Sequence, residues 1–79
     1  MTDKNLQHDA GLLPDLVKIV MPFGRYKGIR IDKLPVSYLE WFNAKGFPDG
    51  RLGMLLRTMY EIKLNGLDYL LDPLRKLNA

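Results

Sequence analysis

A chain of 79 residues without cysteine is long enough for one small domain and excludes a disulfide framework. Its net charge of +3, from 12 basic and 9 acidic residues, is too small to indicate a nucleic-acid partner by itself. No apolar run reaches the length of a membrane span, and the first residues lack the basic-then-apolar order of a signal peptide. We therefore expect a cytoplasmic protein with a flexible tail over residues 1–9 and a single compact domain over residues 10–79.

The first predicted element is a short helix near residues 13–19. Apolar residues recur there at i, i+3, i+4 and i+7, starting from Leu13. Pro14 suits a first helical turn, where its missing N–H costs nothing. The alternation of Val17, Ile19 and Met21 leaves open a second interpretation, in which a strand begins earlier.

The segment that follows predicts a β-hairpin. Pro22 restricts the first arm to an edge strand because proline donates no ladder hydrogen bond. Gly24 and Gly28 permit a tight loop with positive φ. The isoleucines after Gly28 alternate with charged residues, which is the pattern of a half-buried strand. The predicted strands cover residues 20–23 and 29–31.

Two helices are predicted next. Ser37 and Glu40 form a capping-box pattern that would start the first, and Gly46 would end it. Tyr38 and Trp41 lie at helical spacing, so we expect them in the core, with Trp41 partly exposed. A role of these rings in stacking on a ligand is the alternative.

The second predicted helix runs from about Arg51 to Asn65, and Gly53 inside it suggests close approach of another backbone. Its inward stripe is expected to consist of Leu52, Leu55, Leu56, Met59 and Ile62. A short apolar element over residues 67–71 then folds back on the core, and Asp72-Pro73 starts a last helical turn. The predicted fold class is α+β: a short N-terminal helix, a β-hairpin, two main helices and a C-terminal helical turn.

Catalytic and metal-binding patterns are lacking in the sequence. His8 is the single histidine, no cysteine is present, and the acidic residues do not show metal-ligand spacing. We therefore expect a protein that is not an enzyme and that carries neither a metal nor a cofactor.

The hairpin tip is the predicted binding site, formed by Arg25, Tyr26, Lys27 and Arg30. Arginine offers a planar fork for phosphate, lysine a mobile charge, and tyrosine a face on which a base can stack. These residue types together favour nucleic acid or another phosphate-bearing partner. A structural alternative has equal weight: Phe23 and Tyr26 pack in the core, and the basic residues only keep an edge hairpin soluble and unpaired.

An ordered series of motifs resembles a known family of short bacterial proteins. The motifs are Met21-Pro22-Phe23-Gly24-Arg25-Tyr26-Lys27-Gly28, Leu34-Pro35, Tyr38-Leu39, Trp41-Phe42, Lys45-Gly46-Phe47-Pro48, Gly50-Arg51-Leu52-Gly53 and Tyr60-Glu61-Ile62-Lys63-Leu64-Asn65-Gly66-Leu67. The family carries the label "putative quorum-sensing-regulated virulence factor", and the resemblance covers about residues 12–75. Arg25 stands where lysine is expected in many members, which preserves the charge. The label implies a regulatory association with virulence rather than a mechanism.

A Phe-Gly-x-Tyr-Lys-Gly element of this kind is also similar to one appended to some nucleases of the DEDD exonuclease class. The chain lacks the acidic motifs of that catalytic domain. The resemblance therefore implies a nucleic-acid-binding accessory module. The alternative function is a protein–protein adaptor or a homodimeric regulatory protein.

Overall fold

The computed structural model describes residues 11–78, and that part of the chain folds into helices around one core. The elements are α1 (Leu12–Leu16), a first 3₁₀ turn (Ile31–Lys33), α2 (Val36–Lys45), α3 (Gly50–Leu64), a second 3₁₀ turn (Asp68–Leu71) and α4 (Asp72–Asn78). The predicted tail over residues 1–9 lies outside the described residues. No helix in the described range is long and apolar enough to cross a bilayer.

The predicted α+β fold is wrong, because residues 11–78 contain no strand and no β-hairpin. The segment over residues 21–30, hereafter the glycine loop, is closed by one isolated antiparallel bridge between Val20 and Arg30. Met21 donates its N–H to the Ile29 carbonyl at 2.9 Å, and Gly28 returns a bond to the Met21 carbonyl at 2.8 Å. The pairing ends there because Pro22 cannot donate and the chain enters a 3₁₀ turn at Ile31.

The apparent alternation of isoleucines has a different cause. Ile31 is fully buried, but it lies in the first 3₁₀ turn, whereas Ile29 is exposed in the glycine loop. The period-2 pattern is therefore too short to specify a strand. Gly24 and Gly28 do take positive φ, at +80° and +86°, as a tight loop requires.

Helix α1 is shorter than predicted. The chain turns after Leu16 because Lys18 and Ile19 both donate their N–H groups to the Asp15 carbonyl, at 3.1 and 2.8 Å. This turn brings the Ile19 carbonyl to the N–H of Ile31, at 3.0 Å. Val20 thus belongs to the isolated bridge and is not part of a helical face.

Helix α2 begins at Val36, one residue before the predicted capping box. Pro35 is its N-cap, and the Pro35 carbonyl accepts the N–H groups of Tyr38 and Leu39. No side chain caps this helix, so the predicted Ser37 cap is wrong. Gly46 ends the helix as predicted, with φ of +111° and its N–H bonded to the Phe42 carbonyl.

Helix α3 confirms the predicted inward stripe. Leu55, Leu56 and Met59 are buried, and Leu52 and Ile62 pack against the core from its edge. The buried residues of the core are Leu12, Leu16, Val17, Met21, Ile31, Leu34, Leu39, Phe42, Leu55, Leu56, Met59 and Leu71. Buried Leu71 places the end of the second 3₁₀ turn on the core. The predicted folding back of residues 67–71 is confirmed for Leu71, whereas Leu67, Tyr69 and Leu70 are exposed.

Candidate functional site

A groove lies between the glycine loop and the first half of α2. It has a volume of about 580 Å³ and is lined by Phe23, Gly24, Arg25, Tyr26, Ser37, Tyr38, Trp41 and Phe42. Five of these eight residues carry aromatic rings. The groove therefore presents ring faces from two different chain segments on one surface.

Gly24 allows the loop to lie against α2. A Cβ at this position would stand 3.2 Å from the Tyr38 hydroxyl oxygen, and the positive φ of Gly24 disfavours other residues as well. The centroids of the Tyr26 and Tyr38 rings are 4.6 Å apart, with an angle of 56° between the ring planes. The loop is thus anchored to α2 by a close glycine and an aromatic pair.

Tyr38 is the central ring of the groove. Burial raises the pKa of its hydroxyl, and the neighbouring Tyr26 adds a smaller effect in the same direction. Phe42 packs edge-on against Tyr38, with ring centroids 5.1 Å apart. Tyr38 is therefore neutral at physiological pH and is held by rings on more than one side.

Two other rings of the groove remain open to solvent. Trp41 is 52% exposed and Phe23 is 47% exposed. Exposed aromatic rings that share one concave surface are unusual in a protein without a partner for that surface. The prediction that Trp41 is partly exposed is confirmed. Trp41 lines the groove and is not one of the buried core residues.

The charge beside the rings is positive. The Arg25 guanidinium lies 5.6 Å from the Tyr26 ring centroid, within the range of a cation–π contact. Arg25 and Lys27 are exposed, and neither forms an ion pair with a residue of the described range. Among the described residues, no carboxylate lines the groove. An anion that approaches the rings would therefore meet uncompensated positive charge.

Arg30 is not part of this surface. Its Nε donates to Asp32 Oδ1 and its Nη2 to Asp32 Oδ2, each at 2.8 Å, in a bidentate pair. The structure thus brings Arg25 and Tyr26 together in the groove, leaves Lys27 exposed beside them, and places Arg30 in a separate ion cluster.

This ion cluster joins the glycine loop to α4. Arg75 donates from Nε to Asp32 at 2.8 Å, from Nη2 to Asp68 at 3.0 Å, and from Nη1 to Asp72 at 2.9 Å. Burial alone would raise the pKa of Asp32, but hydrogen bonds from Arg30 and Arg75 outweigh it and lower that pKa below its usual value. Asp32 is therefore a charged, fully paired group in the interior.

No set of histidine, aspartate or glutamate side chains within residues 11–78 is arranged to hold a metal ion. The sequence did not identify Phe23, Ser37, Tyr38 and Trp41 as part of one site. The available signal was the spacing of Tyr38 and Trp41, which puts them one helical turn apart beside a loop that contains another aromatic residue.

The comparisons with known proteins establish the family. The chain matches the family described as "Putative quorum-sensing-regulated virulence factor" over residues 9–74. The chain belongs to this family. The resemblance found in the sequence motifs is thereby confirmed, and the match spans both segments that build the groove.

Two bacterial relatives show the same extent of similarity. The chain is 45% identical over 65 residues to "Uncharacterized protein YpeB" of Escherichia coli strain K12, which covers 81% of this chain and 90% of that protein. The protein of the same description from Escherichia coli O157:H7 matches to the same degree. No solved structure matches the chain.

Proposed function

We propose that this family member is a non-enzymatic binding module that takes single-stranded nucleic acid in the groove between the glycine loop and α2. One observation supports the proposal above others. Exposed rings of Trp41 and Phe23 share a concave surface with the guanidinium of Arg25, and within residues 11–78 no carboxylate pairs with Arg25 or lines that surface. Aromatic faces and an adjacent cationic track are the two features that proteins combine to bind single strands.

Each part of the surface has a separate task in this proposal. Ring faces stack on bases, and stacking needs bases whose faces are free, as in a single strand. Arg25 and Lys27 contact the phosphates, Arg25 through its planar fork and Lys27 as a mobile charge. Arg30 fastens the base of the loop through Asp32 and does not meet the ligand. The cytoplasmic location predicted from the sequence belongs to the same proposal.

The double variant Arg25→Ala/Lys27→Ala tests the role of the cations. We expect wild-type protein to bind a fluorescein-labelled oligothymidine with an affinity that falls between roughly 50 and 200 mM salt. Loss of two phosphate contacts should weaken binding and lower the slope of log K against log salt by about 1.4, because each contact on a single strand contributes about 0.7. Fluorescence anisotropy at several salt concentrations gives both quantities.

Lys18→Ala/Lys76→Ala is the matched control, since it removes the same charge from exposed residues that do not line the groove. It should retain most of the affinity and most of the salt slope. Equal losses in the two double variants would refute a role for the groove. If no single-stranded or duplex nucleic acid binds at low salt, the proposal fails. The alternative is then a protein partner or a second copy, and light scattering tests self-association.

A further inference from the structure

Three rings of the groove have a specific mutual arrangement. The Tyr38 and Trp41 rings are parallel within 3°, and their centroids are 6.5 Å apart. Phe42 stands nearly perpendicular to both, at 75° and 76°, with centroid distances of 5.1 and 5.2 Å. The two parallel rings form the walls of a slot, hereafter the ring slot, and Phe42 contacts both walls from the side.

We propose that the ring slot holds one nucleobase, stacked between Tyr38 and Trp41. This inference rests on the proposed function and adds how the strand is gripped. Bases stacked along one strand are separated by about 3.4 Å, so a base midway between two rings requires them about 6.8 Å apart. The Tyr38 and Trp41 centroids are 6.5 Å apart, which is the upper limit of the distance between the two parallel ring planes. A base therefore fits between these rings once Trp41 moves outward.

The walls of the slot differ in exposure, which allows a base to enter from the side of Trp41. Tyr38 is held by Tyr26 and Phe42, and Phe42 is itself buried in the core. Trp41 packs on Phe42 at one edge and is otherwise more than half exposed. Opening the slot thus requires movement of Trp41 alone, while the partly buried Tyr38 and the buried Phe42 stay in place.

The neighbours of the slot match the rest of a nucleotide. Arg25 lines the same groove and pairs with no carboxylate of the described part of the chain, so its guanidinium is placed to bind the phosphate attached to the stacked base. The slot recognises the faces of a base rather than its edges. We therefore expect tolerance of base identity together with a strict need for an unpaired base.

Two strands of equal length and equal phosphate charge test the ring slot: oligothymidine and an oligomer made entirely of abasic residues. Using only abasic residues prevents the protein from shifting to an intact base. Wild-type protein should bind oligothymidine roughly 5- to 100-fold more tightly than the abasic strand, the range expected for loss of base stacking. Trp41→Ala should bring this ratio close to one.

Tyr69→Ala is the matched control, because Tyr69 is an exposed aromatic residue of the second 3₁₀ turn and does not line the groove. It should keep most of the preference for oligothymidine. Trp41 is also the single tryptophan, so wild-type fluorescence reports on the slot without a mutation. Oligothymidine should quench it, and the abasic strand should not.

The outcomes separate the slot from the proposed function. Equal affinity of wild-type protein for the two strands, or equal quenching by them, would overturn the slot and leave phosphate binding by the groove intact. Failure of both strands to bind would overturn the proposed function itself. A Phe23→Ala variant that loses the preference while Trp41→Ala keeps it would place base stacking elsewhere in the groove and overturn the slot.

Discussion

Alanine at position 53 is expected to destabilise the protein by about 3 kcal/mol or more, although alanine favours helix over glycine. A Cβ on Gly53 would overlap the Pro48 carbonyl oxygen and lie 2.8 Å from the Pro48 carbonyl carbon. Both atoms belong to the backbone of the turn before α3, so neither can move as a side chain tip would. The helix-propensity gain of about 1 kcal/mol is too small to offset this overlap.

Urea denaturation followed by circular dichroism measures the effect. Gly53→Ala should lower the urea midpoint strongly or prevent cooperative folding, since a domain of this size has only a few kcal/mol of stability to lose. Met54→Ala is the control on the same helix, because Met54 is exposed and its truncation should change stability by about 0.5 kcal/mol or less. A Gly53→Ala midpoint at or above that of the wild type would contradict the close approach of the turn to α3.

Asp32→Asn is the second substitution with a large expected effect. It keeps the size of the side chain but removes the charge that pairs with Arg30 and Arg75. Removing one partner of a buried ion pair costs about 3–5 kcal/mol. The arginine side chains remain 31% and 18% exposed, and Arg75 keeps two other carboxylates, so we expect about 3 kcal/mol, the low end of that range.

Asp15→Asn provides the matched control. It removes the ion pair between Asp15 and Arg51, in which both side chains are substantially exposed and the oxygen–nitrogen distance is 2.9 Å. Exposed pairs contribute less than about 1 kcal/mol, so this variant should stay near the wild type in a urea titration. Similar losses from the two variants would show that the ion cluster around Asp32 is not a structural anchor.

The lowered pKa of Asp32 predicts how the stability of the folded chain changes with pH. Its pKa is lowered in the folded state, so the unfolded chain binds the proton more readily when the pH falls. The stabilising contribution is present above the ordinary carboxyl pKa of about 4 and is lost as the pH falls through the lower folded value. Between neutral pH and that acid range, Asp32→Asn should lose less stability than the wild type. Parallel stability profiles for the two proteins would contradict this assignment.

The sequence predicted the helical part of the fold because apolar spacing is local information. The stripe of α3, the end of α2 at Gly46 and a close backbone at Gly53 all follow from residues within a few turns of one another. The partner of Gly53 is the turn at Pro48, which the helical pattern alone did not identify.

The hairpin prediction failed for a physical reason that is specific to the glycine loop. Two alternating isoleucines are too few to specify a strand. Ile31 is buried just as well in the 3₁₀ turn that the chain forms there. The ion cluster that holds Arg30 could not be predicted from local sequence either. Asp32, the partner of Arg30, also accepts a hydrogen bond from Arg75, which is 43 positions away. The groove depends on where the loop meets α2, so the exposure of Trp41 and Phe23 is set by a tertiary contact that no local sequence pattern specifies.

Chemical-shift mapping tests the central claim most directly, because it locates the ligand on the folded wild-type chain. A ¹H–¹⁵N correlation spectrum is recorded while a short oligothymidine is added at low salt. We predict shifts concentrated in residues 23–27 and 37–42, together with the indole N–H of Trp41, and small shifts in α1 and α4. Shifts confined to α1 or α4, or no shifts at saturating oligonucleotide, would contradict single-strand binding in the groove.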